Sequence, residues 1–229
     1  MILAGGLATR MRPLTEKLPK SLLPVAGKPF LSWQLEAIKR SGFTRVLLLT
    51  GHLAEPLRAF AADGSAFGLQ IRYCDDGPTL LGTAGALRQA QSELEDTFLV
   101  TYGDSYLPFD YGAPLADLLA HPEAEGTLAV YENHGRWEPS NTLVVGELVA
   151  RYEKRATDPL LTYIDYGAMA LRKSVVASLP AGQVLGLDQL QSDLCRRATL
   201  RAYRAQQRFY EIGSPAGLAE LEQYLALQS

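Results

Sequence analysis

The chain has 229 residues, 47% hydrophobic and 21% charged, which suits one large globular domain or two small ones. Its net charge of −3, from 22 Lys+Arg against 25 Asp+Glu, leaves no electrostatic footprint for DNA or RNA. A phosphorylated ligand must then be gripped by a local cluster of cations. Two cysteines, Cys74 and Cys195, cannot build a disulfide framework and lack metal-ligand spacing. No apolar run reaches the roughly 18–20 residues of a membrane span, and Met1-Ile2-Leu3 runs into glycines with no basic segment ahead of a signal peptide. These features predict a soluble protein of the reducing cytoplasm, with no nucleic-acid and no membrane partner.

Met1–Ala4 reads as a short apolar strand stopped by Gly5-Gly6. A buried first strand ordinarily has residues ahead of its apolar core, so either the start lies upstream of Met1 or this strand is short. Phe30–Arg40 carries Leu31, Leu35 and Ile38 at helical spacing, with Gly42 as its stop. Arg45–Thr50 is a continuous apolar run, as expected of a strand buried on both faces. A helix over Leu53–Ala62, a strand over Leu69–Cys74, a helix over Thr83–Leu94 and a buried strand over Thr97–Tyr102 follow. Further strands are expected at Thr127–Tyr131, Thr142–Val145, Leu148–Glu153 and Tyr166–Arg172, then helices at Leu187–Arg197 and Pro215–Leu227.

Strands alternating with helices predict an α/β, Rossmann-like fold whose mixed, mainly parallel central sheet is flanked by helices. With no repeat, low-complexity tract or linker, residues 1–229 are expected to form a single domain. Residues 1–110 would be its nucleotide-binding half and 111–229 its more β-rich, sugar-phosphate-binding half.

The densest signal is Leu3 to Phe30, LAGGLATRMRPLTEKLPKSLLPVAGKPF. Glycines after a buried strand let backbone N–H groups approach phosphate oxygens without a Cβ in the way. Arg10 can grip β- and γ-phosphates bidentately, and Lys20 supplies a compact charge near the α-phosphate. Neither a P-loop nor a Rossmann glycine fingerprint is present, since Gly27-Lys28 runs into Pro29. A second block, Leu81-Gly82-Thr83-Ala84-Gly85, opens a helix with small residues, leaving N–H groups unfilled and room for a flat base. In a third, Gly103-Asp104-Ser105, an aspartate stands past a buried strand, where parallel sheets present ligands and where hard oxygen suits Mg²⁺.

This ordered string resembles the sugar-1-phosphate nucleotidyltransferases, or nucleotide-sugar pyrophosphorylases, whose pattern L-A-G-G-x-G-T-R-x-x-P-L-T is followed by P-K. The chain matches at Gly5, Gly6, Thr9, Arg10, Pro13, Leu14, Thr15, Pro19 and Lys20, and departs at Ala8, where the family has glycine. The resemblance implies a nucleotide-diphospho-sugar transferase (GT-A-like) fold and Mg²⁺ as cofactor. It also implies nucleotide contacts at Leu3, Ala4, Gly5, Gly6, Thr9, Arg10, Gly77, Gly82 and Thr83. Arg10, Lys20 and Asp104 inherit the catalytic roles. Asp104 inherits the metal as well, together with Glu211 of Phe209-Tyr210-Glu211-Ile212-Gly213-Ser214-Pro215, which stands where the family has aspartate. Glu153-Lys154 resembles the family's E-K, with the lysine on the sugar phosphate. Asp165, Tyr166 and Gly167 would line the sugar pocket, Lys20 would serve the sugar phosphate too, and Arg155 reads as a solvated charge.

The implied reaction joins a nucleoside triphosphate to a sugar 1-phosphate with loss of pyrophosphate. The length resembles the short enzymes that make GDP-heptose or UDP-N-acetylmuramate, and the first is favoured. A glycosyltransferase on the same kind of sheet, or a nucleotide-sugar sensor, are the competing readings. A glycosyltransferase would not need Arg10 and Lys20 on a pyrophosphate leaving group, whereas a sensor would be signalled by loss of the metal pair, with Glu211 as its only support.

Overall fold

The computed structural model describes residues 1–6, 11, 13–77, 79–155 and 158–228. In chain order the first elements are β1 (Ile2–Leu3), β2 (Pro24–Val25), β3 (Lys28–Pro29), α1 (Phe30–Arg40), β4 (Arg45–Thr50), α2 (Ala54–Ala61), β5 (Gln70–Asp75), α3 (Gly82–Gln89), β6 (Thr97–Tyr102) and β7 (Ser105–Tyr106). There follow α4 (Gly112–Ala120), β8 (Gly126–Glu132), β9 (Thr142–Val145), β10 (Leu148–Tyr152), β11 (Tyr163–Arg172), α5 (Lys173–Ala177), α6 (Leu187–Arg196), β12 (Leu200–Ala205), β13 (Tyr210–Glu211) and α7 (Pro215–Ala226). The chain divides into two compact units that interleave along the sequence. One comprises 1–78, 101–110 and 209–229, the other 79–100 and 111–208.

In the first unit β5, β4, β1 and the end of β6 lie side by side and parallel. β4 (RVLLLT) and β6 (TFLVTY) are near-continuous apolar runs because both faces are covered, whereas β5 (QIRYCD) alternates, with Ile71 buried between exposed Gln70 and Arg72. The α1 helix shows how local sequence sets this up. Pro29 holds extended backbone ahead of it. Phe30, Leu31 and Leu35 are fully buried, each contributing roughly 1.5–3 kcal/mol. Lys39 and Arg40 occupy the last turn, and Gly42 exits at φ 85°, a conformation glycine adopts without strain. A second apolar cluster of Val25, Phe30, Tyr106, Ile212, Leu221 and Leu225 ties α7 and the β7–β13 pair to α1.

The second unit is mostly antiparallel. β11 pairs antiparallel with β8, and β10 with both β12 and β9, while β8 and β12 run parallel. Helix α6 packs on β10, and α4 on β11 and β8. The β11–β8 ladder slips between Asp165 and Met169, forming a bulge at Gly167, which sits at φ 97°. The longer elements α4 and β12 have no counterpart in the sequence reading, nor do the short β2, β3, β7, α5 and β13. In β12 the buried Arg201 interrupts the apolar pattern. It lies within 2.9 Å of Asp117 and 3.0 Å of Glu147, partners remote in sequence. Cys74 and Cys195 are both free thiols. Among the described residues no helix is long and apolar enough to cross a membrane.

Candidate active site

The carboxyl ends of β1, β4 and β6 converge because their registers are tight. Leu3 stands level with Leu49 on one side and Tyr102 on the other. The next residues leave the sheet together, with Ala4 N–H donating to Leu49 O at 2.9 Å and Gly103 N–H to Leu3 O at 2.9 Å. Two glycines here are dictated by packing. A Cβ on Gly103 would stand 2.8 Å from Leu3 O, and one on Gly5 would stand 2.9 Å from Asp76 Oδ2. At Gly6 a Cβ would meet nothing within 4 Å among the described residues. Thr9 and Arg10, and the departure at Ala8, lie outside the described residues.

Lys20 reaches the same place from a short 3-10 turn, Lys20–Leu22. Pro19 starts the turn, accepting from Leu22 N–H at 2.8 Å, and the buried Ser21, Leu22 and Leu23 anchor it. The ammonium donates to Asp104 Oδ2 at 2.6 Å, with side-chain exposures of 14% for Lys20 and 34% for Asp104. The aspartate is therefore reachable yet already charge-paired. Gln34, buried on α1, clamps the turn from beneath by donating to Tyr102 O at 2.7 Å and Ser105 O at 3.1 Å. Sequence reasoning missed Gln34; its only signal was a polar residue inside the apolar stripe of α1.

Glu211 is carried to this turn by β13. It stands opposite Ser105, and Ile212 N–H donates to Asp104 O at 3.0 Å. The following Ser214 caps α7, its Oγ accepting from Gly217 N–H at 3.1 Å, with Pro215 in the first turn. The donor chemistry fits Mg²⁺, which takes one or two carboxylates and completes its shell with phosphate and water. Asp104 Oδ1 has no partner among the described residues. No group of three or more His, Cys, Asp or Glu able to hold a metal occurs among them either. Sequence reasoning also passed over Asp76, beside Gly77. Burial first, then the neighbouring Asp75, raises its pKa, and its carboxylate edge faces Gly5 and Gly51.

In the second unit the Gly82–Gly85 block has a packing role that the sequence did not suggest. Ala84 and Gly85 N–H groups are filled by Leu185 O at 2.9 and 3.2 Å. A Cβ on Gly82 would stand 2.5 Å from Leu185 O, and one on Gly85 2.7 Å from Gln183 O. Thr83 Oγ1 accepts from Leu187 N–H at 2.7 Å. The small residues admit the 183–187 segment. The Gly82 and Thr83 N–H groups have no partner among the described residues.

Lys154 is 64% exposed and lies 3.4 Å from Asp188, itself 32% exposed. Glu153 sits 3.4 Å from Arg151, and Arg155 is exposed, as a solvated charge should be. Asp165 is more committed than the sequence suggested. Its carboxylate accepts from Gly167 N–H at 2.9 Å and Gln191 Nε2 at 2.8 Å, fastening the bulge. Burial raises its pKa, and those bonds and the Lys154 charge work against the rise. Tyr166, expected to touch sugar hydroxyls, is 1% exposed and belongs to the core. Alternation along β11 turns it away from the face that Asp165 occupies.

Strand-end glycines and a lysine seated on a strand-end aspartate define a class: α/β proteins whose candidate site lies at the carboxyl ends of parallel strands, where such sheets present ligands. Residues 1–141 match the family described as Nucleotidyl transferase, and the chain belongs to it. It is similar to the N-acetylmuramate alpha-1-phosphate uridylyltransferase of Neisseria meningitidis, at 40% identity over 124 residues, 54% of each chain. It is also similar to the mannose-1-phosphate guanylyltransferase of Mycobacterium tuberculosis, at 32% identity over 192 residues, 82% of this chain and 53% of the relative. The chain thus spans about half the length of the curated relatives it matches. Among solved structures, HddC from Yersinia pseudotuberculosis aligns over 98% of this chain and 97% of its own, with a TM-score of 0.79 and 22% identity. That likeness establishes the nucleotide-diphospho-sugar transferase fold.

Proposed function

We propose that the chain transfers a nucleoside monophosphate from a nucleoside triphosphate to a sugar 1-phosphate, giving a nucleotide sugar and pyrophosphate, in the cytoplasm. The observation that carries this reading is the 2.6 Å pair of Lys20 and Asp104 at the strand ends, within a Nucleotidyl transferase chain. Such transfers need positioning and charge stabilisation more than covalent chemistry. A sugar-phosphate oxygen attacks the α-phosphorus, the bond from that phosphorus to the bridging oxygen breaks, and pyrophosphate leaves.

In this scheme Lys20 stabilises charge on the α-phosphate and Arg10 that on the departing β- and γ-phosphates. Backbone at Leu3, Ala4, Gly5, Gly6, Thr9, Gly77, Gly82 and Thr83 holds the nucleotide. Asp104 and Glu211 would hold Mg²⁺, which when bound neutralises phosphate charge. The exposed Lys154 takes the acceptor phosphate and Glu153 the sugar hydroxyls, with Asp165 and Gly167 shaping the wall. Residues of 1–110 serve mainly the nucleotide and those of 111–229 mainly the acceptor. The favoured substrates are GTP with a heptose or hexose 1-phosphate. The uridylyltransferase reading on an amino-sugar 1-phosphate is kept alongside because the 40%-identical relative carries that name.

The test is a grid of GTP, UTP, dTTP, CTP and ATP against glucose, mannose, heptose, N-acetylglucosamine and N-acetylmuramate 1-phosphates, read by pyrophosphate release. Turnover with at least one pair is expected. Release that is independent of any sugar 1-phosphate would contradict the proposal.

A further inference from the structure

Between β8 and β9 the chain makes a pinned loop that the proposed reaction has not used. Asn133, fully buried, donates through Nδ2 to Glu138 O at 2.7 Å and Ser140 Oγ at 3.0 Å, and Ser140 Oγ also accepts from Gly135 N–H at 3.0 Å. Arg208 lies over the Trp137 ring at 3.5 Å. The loop delivers Asn141 in one fixed pose, and Asn141 ties together the segments assigned to the acceptor. Its N–H donates to Tyr163 O at 3.0 Å, and its carbonyl accepts from Glu153 N–H at 2.8 Å. Its side-chain Oδ1 accepts from Asp165 N–H at 2.9 Å and from Thr142 Oγ1 at 2.8 Å.

These bonds settle which end of the amide is which. A backbone N–H can only donate, so the atom facing Asp165 N–H must be the oxygen. Both Oδ1 lone pairs are then filled. Nδ2 keeps two N–H donors for which no described residue supplies an acceptor, on a side chain that is partly exposed. An amide held this firmly through one end has already lost its rotamer freedom, so a ligand oxygen meeting Nδ2 binds without further ordering cost.

Resting on the proposed reaction, we infer that Asn141 is a sugar-recognition residue, donating from Nδ2 to one hydroxyl oxygen of the acceptor sugar. Glu153 is joined to the Asn141 backbone and Asp165 to its side chain, so the residue both builds that wall and reads the ligand from it. The loop sequence Asn133–Asn141 would in that case contribute to acceptor choice without touching the nucleotide.

Asn141→Asp separates the two roles. It keeps an oxygen for Asp165 N–H and Thr142 and removes only the donor end. Binding is measured by calorimetry, without turnover, using mannose 1-phosphate or glucose 1-phosphate, whichever reacts better, and its monodeoxy analogues. A lost neutral hydrogen bond corresponds to roughly 10-fold in affinity. For wild type, one deoxy position is expected to cost about 10-fold. In Asn141→Asp the parent sugar phosphate should bind at least that much more weakly, and the same deoxy position should then cost nothing further. The affinity for the nucleoside triphosphate and the melting temperature should stay unchanged. Equal deoxy penalties in both proteins would overturn the inference, since the loss would then come from the added charge or from altered structure. A wild type that binds no sugar 1-phosphate would overturn the proposed reaction, and this inference with it.

Discussion

Asp104→Asn isolates charge from shape at the strand-end turn. The turn is held mainly by backbone. Gly103 N–H bonds to Leu3 O, Ile212 N–H to Asp104 O, and Gln34 clamps the flanking carbonyls. None of these contacts involves the Asp104 carboxylate, so the fold should persist. What changes is the partner of Lys20, 14% exposed and 2.6 Å away. A hydrogen bond between charged groups contributes about 1.5–3 kcal/mol and a neutral one about 1 kcal/mol, so the amide costs roughly 1 kcal/mol of stability. For a chain of this size that is about 2–4 °C in Tm. The catalytic cost should be larger. If Asp104 holds Mg²⁺ as proposed, losing its charge should cost about 3–4 kcal/mol, or on the order of 10²–10³ in kcat. The assay is pyrophosphate release across a Mg²⁺ titration, paired with a thermal melt and a direct Mn²⁺ binding measurement. Retention of more than about a tenth of wild-type turnover, or unchanged Mn²⁺ affinity, would refute the reasoning.

The remaining expectations concern neighbouring charges and packing. Lys20→Ala should lower kcat on the order of 10²–10³-fold, whereas Lys154→Ala should mainly raise KM for the sugar 1-phosphate; steady-state kinetics showing the reverse would exchange the donor and acceptor assignments. Glu211→Asp should keep partial activity and Glu211→Gln should not, and a Gln variant with wild-type Mg²⁺ dependence would take Glu211 out of the metal set. Gly82→Ala should destabilise the second unit by at least about 1–3 kcal/mol, because φ is 72° and Leu185 O stands 2.5 Å from the new methyl; an unchanged denaturation midpoint would sink the packing explanation. Burial tends to raise the Asp117 pKa, but hydrogen bonds from Arg201 and Thr127 outweigh it and hold the value below normal. A carboxylate with a depressed folded pKa stabilises above its unfolded value near 4 and loses that contribution as pH falls through the lower folded one. The stability gap between wild type and Asp117→Asn should therefore be full at neutral pH and shrink below about pH 4 in urea titrations; a constant gap would refute it.

How much of this was legible in the sequence depended on whether a residue's role was local. The α1 and β4 boundaries could be read because apolar spacing and a stop glycine lie within one window. The strand-end position of Asp104 was legible for the same reason, and the Lys20 match gained meaning once the fold placed the two in contact. Arg201 disguised β12, because its burial depends on Asp117 and Glu147, which no short window contains. The packing role of Gly82 and Gly85 is not legible, since the 183–187 segment that crowds them lies about a hundred residues away. Gln34 and Asn141 carry no motif. Their importance lies in backbone groups of other elements, and only the folded chain reveals those.

In the proposed reaction nucleotide transfer is coupled to the sugar phosphate. The most direct test follows α-³²P-labelled GTP and UTP with the purified protein, Mg²⁺ and each sugar 1-phosphate, separating products by chromatography. Label should move into a nucleotide sugar with one pyrophosphate released per molecule formed, and should stay in the triphosphate when the sugar 1-phosphate is omitted. Label appearing as free nucleoside monophosphate or diphosphate irrespective of the acceptor would contradict the proposed reaction.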